Sequence, residues 1–168
     1  RTLNRFLRHN SSTSSELTRR VGHLDALAEM APRLVEPLTL WRGFSSMAYV
    51  QHLKEVGHNT QEGSQRKDIK DDAYMSCSLS RSIGNFYARR HALLPEDLED
   101  AVLLRIEVPV GAQIICVACF GGLDNEEEIL LPRGSILQVH HVHPRGDESS
   151  ILTADASLFN VEDVVSNK

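Results

Sequence analysis

The sequence, 168 residues long, predicts an α+β domain. Helical patterns come early, strand-like apolar runs crowd the stretch after residue 100, and no repeated strand-helix-strand unit links them. This order favours two packed, mainly antiparallel sheets flanked by helices, with a helical part near the N-terminus. The length suits one buried core, so a single domain is expected over residues 16–168.

Residues 1–15 carry Arg1, Arg5 and Arg8 without an acid and end in Ser11-Ser12-Thr13-Ser14-Ser15, as a flexible basic arm would. Ser15 before Glu16 suits a helix start. Leu17, Val21, Leu24, Leu27, Ala28 and Ala31 then recur at helical spacing until Pro32. Leu38-Thr39-Leu40-Trp41-Arg42-Gly43 reads as a short buried strand. Met47 to Val56 reads as a helix stopped by Gly57, and 58–72 as a polar loop. Ala73 to Ser80 reads as a strand running into a turn, and Ser82 to His91 as a helix. Pro95 to Asp100 is an acidic surface loop. Four strand-like segments follow: Val102 to Val108, Gln113 to Phe120, Glu128 to Leu131 and Ile136 to Val142.

The hydrophobic share of 41% and charged share of 24% are ordinary for a globular domain. A net charge of −5 argues against a nucleic-acid backbone as main partner. No apolar run approaches the roughly 20 residues that span a bilayer. The chain opens at Arg1, as expected of a fragment or processed product that a signal peptide once preceded or not.

Three cysteines, Cys77, Cys116 and Cys119, form no disulfide framework and point to a reducing compartment. Cys116 and Cys119 with His141 and His143 have the residue types of a zinc site. Residues three apart on a strand face opposite ways, however, so two small core cysteines are expected and no metal. Alternation puts His141 and His143 on the face of Leu137 and Val139, as half-buried histidines. Arg145-Gly146-Asp147 matches an adhesion tripeptide by chance.

Glu126-Glu127-Glu128 runs straight into Ile129-Leu130-Leu131. If the strand begins at the carboxylates, Glu126 and Glu128 share one face. Two like charges beside buried residues repel, which suits a site that handles a cation and a proton together.

Trp41-Arg42-Gly43, then Met75-Ser76-Cys77-Ser78, then Glu126-Glu127-Glu128-Ile129-Leu130-Leu131-Pro132-Arg133-Gly134 follow one another in that order. Together they resemble the arginine-serine-glutamate class of mono-ADP-ribosyltransferases, with an arginine on the first strand, a Ser-Thr-Ser strand and a Glu-x-Glu loop-strand. The resemblance implies an ADP-ribosyltransferase-like fold and NAD as substrate. It also implies roles. Arg42, with Gly43 beside it, would meet the pyrophosphate through its planar fork of donors. Ser76 would hold the catalytic glutamate or the nicotinamide ribose, and Ser78 would support the same loop. Cys77 replaces the family's threonine; it is a weaker hydrogen bonder expected to point away from NAD. Glu128 would be the catalytic carboxylate, stabilising positive charge on the ribose as the nicotinamide bond breaks.

Glu126, two residues earlier, is the position that the resemblance ties to arginine modification. A guanidinium is always protonated near neutral pH, so it needs a carboxylate to orient it and take its proton. Phe120-Gly121-Gly122-Leu123-Asp124-Asn125 would be the acceptor loop, with Phe120 or Leu123 touching the target. The implied activity is transfer of ADP-ribose from NAD to an exposed arginine of a protein. An inactive domain of this fold would instead bind an arginine-bearing segment in its acidic cleft, even its own Arg1, Arg5 or Arg8. Water as acceptor would give plain NAD hydrolysis. Within the family, the serine-rich arm fits an effector secreted by a bacterium into a host cytosol.

Overall fold

A computed structural model describes residues 15–58, 68–90, 101–117, 127–143 and 151–159. The elements in chain order are α1 (Ser15–Met30), β1 (Leu38–Ser45), α2 (Met47–His58), β2 (Asp68–Lys70), β3 (Met75–Ser78), α3 (Arg81–Arg89), β4 (Ala101–Val108), β5 (Ile115–Cys116), β6 (Glu128–Leu131), β7 (Ile136–His143) and β8 (Leu152–Phe159). The α+β class expected from the sequence is the class observed. Arg1, Arg5 and Arg8, the acidic stretch of 95–100, Cys119, the acceptor-loop segment with Phe120, Glu126 and the Arg145-Gly146-Asp147 tripeptide lie outside the described residues.

The eight strands among the described residues join one mixed sheet in the order β2-β7-β8-β4-β1-β3-β6-β5. Where two sheets were expected the strands form one, which the short β1–β3 pairing divides into a five-strand and a three-strand half. β1 pairs with β4 along its whole length, from Leu38↔Val108 to Ser45↔Ala101. Its pairing to β3 on the other side is the single register Trp41↔Ser78. Pairings are antiparallel except β4 with β8, which is parallel.

The structure adds two strands to the expected set. β2 lies in the stretch read as a polar loop; it is three residues long and pairs with β7 at the sheet's edge. β8 is central, between β4 and β7, and buries Leu152, Ala154, Ala156 and Leu158 on one face. Small alanines at two of those inward positions weaken its hydrophobic signal.

The core fills one face of the sheet with Leu40, Leu104, Ile106, Leu131 and Leu137, all at most 1% exposed. α2 supplies Val50 and Leu53 to the same core. On the opposite face Trp41, Ala88, Ala101, Leu103 and Ile151 form a smaller cluster under α3. There a Cβ on Gly43 would collide with the Gly84 carbonyl oxygen and the Ala88 amide of α3. Glycine at both positions therefore lets the helix lie directly on β1.

α1 is pinned by a polar clamp. Arg133, in the turn after β6, donates from Nε to Asp25 Oδ1 at 2.8 Å, and its Nη2 lies 2.7 Å from Oδ2. The Tyr74 hydroxyl, 1% exposed with its residue, donates to Asp25 Oδ1 at 2.6 Å, and the Val21 carbonyl is 3.2 Å away. The Arg133 guanidinium holds the Asp25 carboxyl below its ordinary value. Burial, then the Asp25 carboxylate, pushes the Tyr74 phenol up.

Two sequence expectations need correction. A bulge between Val139 and His141 shifts the register of β7 against β8. Leu137 and Val139 stay buried, but His140 and His141 are exposed, and His143 bonds Asp155 at 2.9 Å on the polar side. One inserted residue reverses the facing of everything beyond it. The cysteines also differ from a set of reduced core residues: Cys77 is free and buried, whereas Cys116 is disulfide-bonded. Among the described residues no cluster of histidine, cysteine and acid is gathered to hold a metal ion.

Candidate active site

Arg42, Ser76, Ser78 and Glu128 converge where the two halves of the sheet meet. β3 and β6 pair antiparallel with Ser78 opposite Glu128 and Ser76 opposite Leu130. Alternation then puts Ser76, Ser78 and Glu128 on one face and turns Met75, Cys77, Ile129 and Leu131 into the core. The Ser76 hydroxyl donates to Glu128 Oε1 at 2.6 Å, a short bond of the kind a carboxylate accepts. Arg42 comes from the other half of the sheet and donates from Nη1 to the Ser76 carbonyl oxygen at 2.8 Å.

Arg42 is held on three sides. Beyond Ser76, its Nη2 lies 3.6 Å from Asp71 Oδ2, and its guanidinium carbon sits 5.5 Å from the Phe44 ring centroid. The side chain keeps 16% exposure. A guanidinium has five N–H donors, so this arrangement leaves donors for an anion. Gly43, read from the sequence as a cofactor contact, packs against the backbone of α3.

Ser78 is 4% exposed and its hydroxyl oxygen accepts the Ser80 amide at 3.0 Å, fixing the turn from β3 into α3. Arg81, at the start of α3, lies over the Trp41 ring, 5.2 Å from its centroid. Cys77 faces the core, and burial pushes its thiol up to about 11. Its side chain is thus on the side away from Glu128's companions Ser76 and Ser78.

The strand begins at Glu128, not earlier. Glu127 has φ +46°, a left-handed conformation that side chains seldom adopt. The period of two therefore does not extend back through Glu127, and Glu126, expected to share a face with Glu128, lies outside the described residues. The Glu127 carbonyl accepts the Leu79 amide at 3.3 Å, and the Glu128 carbonyl accepts the Val117 amide at 3.0 Å. These bonds fix the backbone on both sides of the Glu128 side chain.

Sequence reasoning passed over Asp71, which is 5% exposed and faces Arg42. Its signal was slight, one acid five residues before Ser76 in a stretch read as loop. Asp25 and Arg133 were missed for another reason. They sit 108 residues apart, and only the fold joins them.

Comparison with known proteins adds the following. The profile of the ADP-ribosyltransferase exoenzyme family matches residues 1–160. The fold superposes on Plx2a, an ADP-ribosyltransferase toxin from Paenibacillus larvae, with a TM-score of 0.71 at 16% identity, covering 95% of this chain and 79% of that one. The Clostridium limosum C3 exoenzyme gives a TM-score of 0.69 at 19% identity, covering 95% of this chain and 78% of that one. Exoenzyme S from Pseudomonas aeruginosa, in complex with human 14-3-3 protein beta and bound to Carba-NAD, gives 0.66 at 16% identity, covering 93% of this chain and 65% of that one. At such identities the likeness is one of fold. No curated protein sequence matches.

Proposed function

The chain belongs to the ADP-ribosyltransferase exoenzyme family, whose members use NAD as the donor of ADP-ribose, and from that premise we propose that it modifies an arginine of a target protein. The observation that carries this reading is the Ser76 hydroxyl bonded to Glu128 Oε1 at 2.6 Å, with Arg42 on the carbonyl of the same serine at 2.8 Å. A carboxylate, a group that orients it and a cation for the pyrophosphate stand together.

In this reading the free donors of Arg42 bind the NAD pyrophosphate in the plane of the guanidinium. Ser76 fixes one oxygen of Glu128. The carboxylate then faces the nicotinamide ribose and bonds its 2′-hydroxyl. The bond between C1′ and the nicotinamide nitrogen breaks, and nicotinamide leaves with the electron pair. Positive charge develops on the ribose, and the fixed carboxylate stabilises it more in the transition state than in the ground state. A guanidinium nitrogen of the target attacks C1′ and gives up a proton, which Glu126 accepts. Such a chain would act as a secreted bacterial effector on a protein in a host cell, in keeping with its relatives among exoenzyme toxins.

The test uses labelled NAD with an arginine-rich acceptor protein. Label should pass to arginine and resist the treatments that release ADP-ribose from carboxyl and thiol linkages. Glu128→Gln should abolish transfer while the fold survives. Glu126→Ala should lose arginine transfer yet keep NAD hydrolysis. Absence of NAD binding by calorimetry would overturn the enzyme reading and favour a binding module of the same fold.

A further inference from the structure

The geometry points to Asp71 as a positioning residue that holds Arg42 in its NAD-facing orientation and off the Glu128 carboxylate; this rests on the reading of Arg42 as the NAD-binding cation. Asp71 is one of two buried polar residues among those described, at 5% exposure. Its two oxygens have separate tasks. Oδ1 accepts the Ala73 amide at 3.0 Å, which shapes the backbone just ahead of β3. Oδ2 faces Arg42 Nη2 at 3.6 Å.

The need for such an anion follows from the site's layout. Ser76 links Arg42 to Glu128, the first through its carbonyl and the second through its hydroxyl. A cation and a carboxylate are thus bonded to one small residue. Were they to pair, the carboxylate meant for the ribose would be neutralised and the guanidinium meant for the pyrophosphate would be spent. Asp71 presents a competing carboxylate from the buried side, where water cannot screen the attraction. Phe44 lies under the guanidinium and completes the seat.

The backbone of Asp71 ties this seat to the strand of the catalytic carboxylate. Its amide donates to the Ser135 carbonyl at 3.4 Å and its carbonyl accepts the Gly134 amide at 2.8 Å. Gly134 follows Arg133, which clamps Asp25 of α1. A continuous path therefore runs from α1 through the turn after β6 to Asp71, Arg42 and Ser76.

Asp71→Asn keeps an oxygen for the Ala73 amide but removes the charge that faces Arg42. Asp71→Ser does the same with a smaller side chain whose hydroxyl can accept that amide. NAD dissociation constants by calorimetry, and kcat and KM for NAD consumption, are measured for wild type, both variants, Arg42→Ala and the Arg42→Ala/Asp71→Asn double variant. Each Asp71 variant should weaken NAD binding by about tenfold and lower kcat, the scale of losing one well-placed charged partner. The double variant should bind NAD no worse than Arg42→Ala alone, because Asp71 acts through Arg42. NAD affinity within about twofold of wild type in either folded variant, or effects that simply add in the double variant, would overturn the proposal. If neither variant folds, Asp71 serves stability alone and the proposal fails. A wild type that binds no NAD removes the underlying reading, and that outcome is distinct from wild-type binding that Asp71 does not influence.

Discussion

The two halves of the sheet are built for different ends. The five-strand half, β2-β7-β8-β4-β1, has eight-residue strands at its centre and buries alanine, valine, isoleucine and leucine between them. The three-strand half, β3-β6-β5, has strands of four, four and two residues. One face of it joins the core, and the other carries Ser76, Ser78 and Glu128. In the proposed function the wide half supplies the frame and Arg42, and the narrow half supplies Ser76 and Glu128. The halves share one core, but strand pairing joins them through one register pair, Trp41↔Ser78, and across that seam Arg42 reaches the Ser76 carbonyl. A site at such a seam takes one component from a rigid frame and the rest from a segment with less packing to hold it.

The sharpest way to break this division is to change the narrow half and look for damage in the wide one. Glu128→Gln should lower kcat by about 10³-fold, since a fixed charge aimed at a developing one is among the largest catalytic effects. NAD affinity should change little, and the melting temperature should stay within about 2 °C, because a partly exposed glutamate contributes little to folding. Activity assays and thermal unfolding on the same preparations check this. A large fall in melting temperature would mean that Glu128 holds the fold as well as the chemistry.

The reverse change tests the frame. Gly43→Ala puts a methyl group against the backbone of α3 at Gly84 and Ala88. Neither neighbour is a flexible side chain that can give way, so overpacking should cost about 2–3 kcal/mol, measured as a lowered urea midpoint. Gly84→Ala should act in the same direction, for it meets Trp41 Cβ and Leu103 Cδ1 from the helix side. If Gly43→Ala left stability unchanged and weakened NAD binding alone, Gly43 would belong to the site and not to the frame.

What the sequence made legible follows the same division. β1, β4 and β6 were readable from their apolar runs, and the motifs holding Ser76 and Glu128, which the fold brings within hydrogen-bond distance, because each adjoins such a run. β8 was overlooked, since Ala154 and Ala156 present little hydrophobic signal between stronger neighbours. His141 and His143 were assigned to the wrong face, since a bulge leaves no mark in composition. Glu127 illustrates the same limit at the site. A non-glycine residue with positive φ follows no local preference, so the true start of β6 could not be read. Asp71 and the Asp25–Arg133 pair depend on contacts between distant segments, which one sequence does not encode in any window.

That clamp supplies the next test, a smaller one. Asp25 is depressed by Arg133, so its folded value lies below the 3.8 of an unperturbed carboxyl. Stability from this pair is present above that value and is lost as pH falls through the folded one. Arg133 is 47% exposed, so solvent screening limits the contribution to about 1 kcal/mol. Arg133→Met should be less stable than wild type by that amount near neutral pH, and the gap should close in acid. Urea unfolding of both proteins across pH reads it directly. A gap that stayed constant with pH would assign the loss to packing of the arginine stem against α1.

The smallest effect concerns Cys77 and asks whether the narrow half opens alone. The residue is 4% exposed and burial pushes its thiol up to about 11. Near pH 8 only about one thiol in a thousand is ionised, and the thiolate is the reactive form. Alkylation located by peptide mass spectrometry should therefore leave Cys77 unlabelled in the native protein and label it in step with global unfolding in urea. Cys77→Thr should change stability by about 1 kcal/mol, because the two side chains are similar in size. Labelling that ran ahead of global unfolding would carry more information than the expected result. It would mean that β3 and β6 part from β1 while the five-strand half stays folded, and that the seam through Trp41 and Ser78 is a hinge. The Arg42 contact to Ser76 would then be the bond that closes the site, and its formation would depend on the same opening equilibrium.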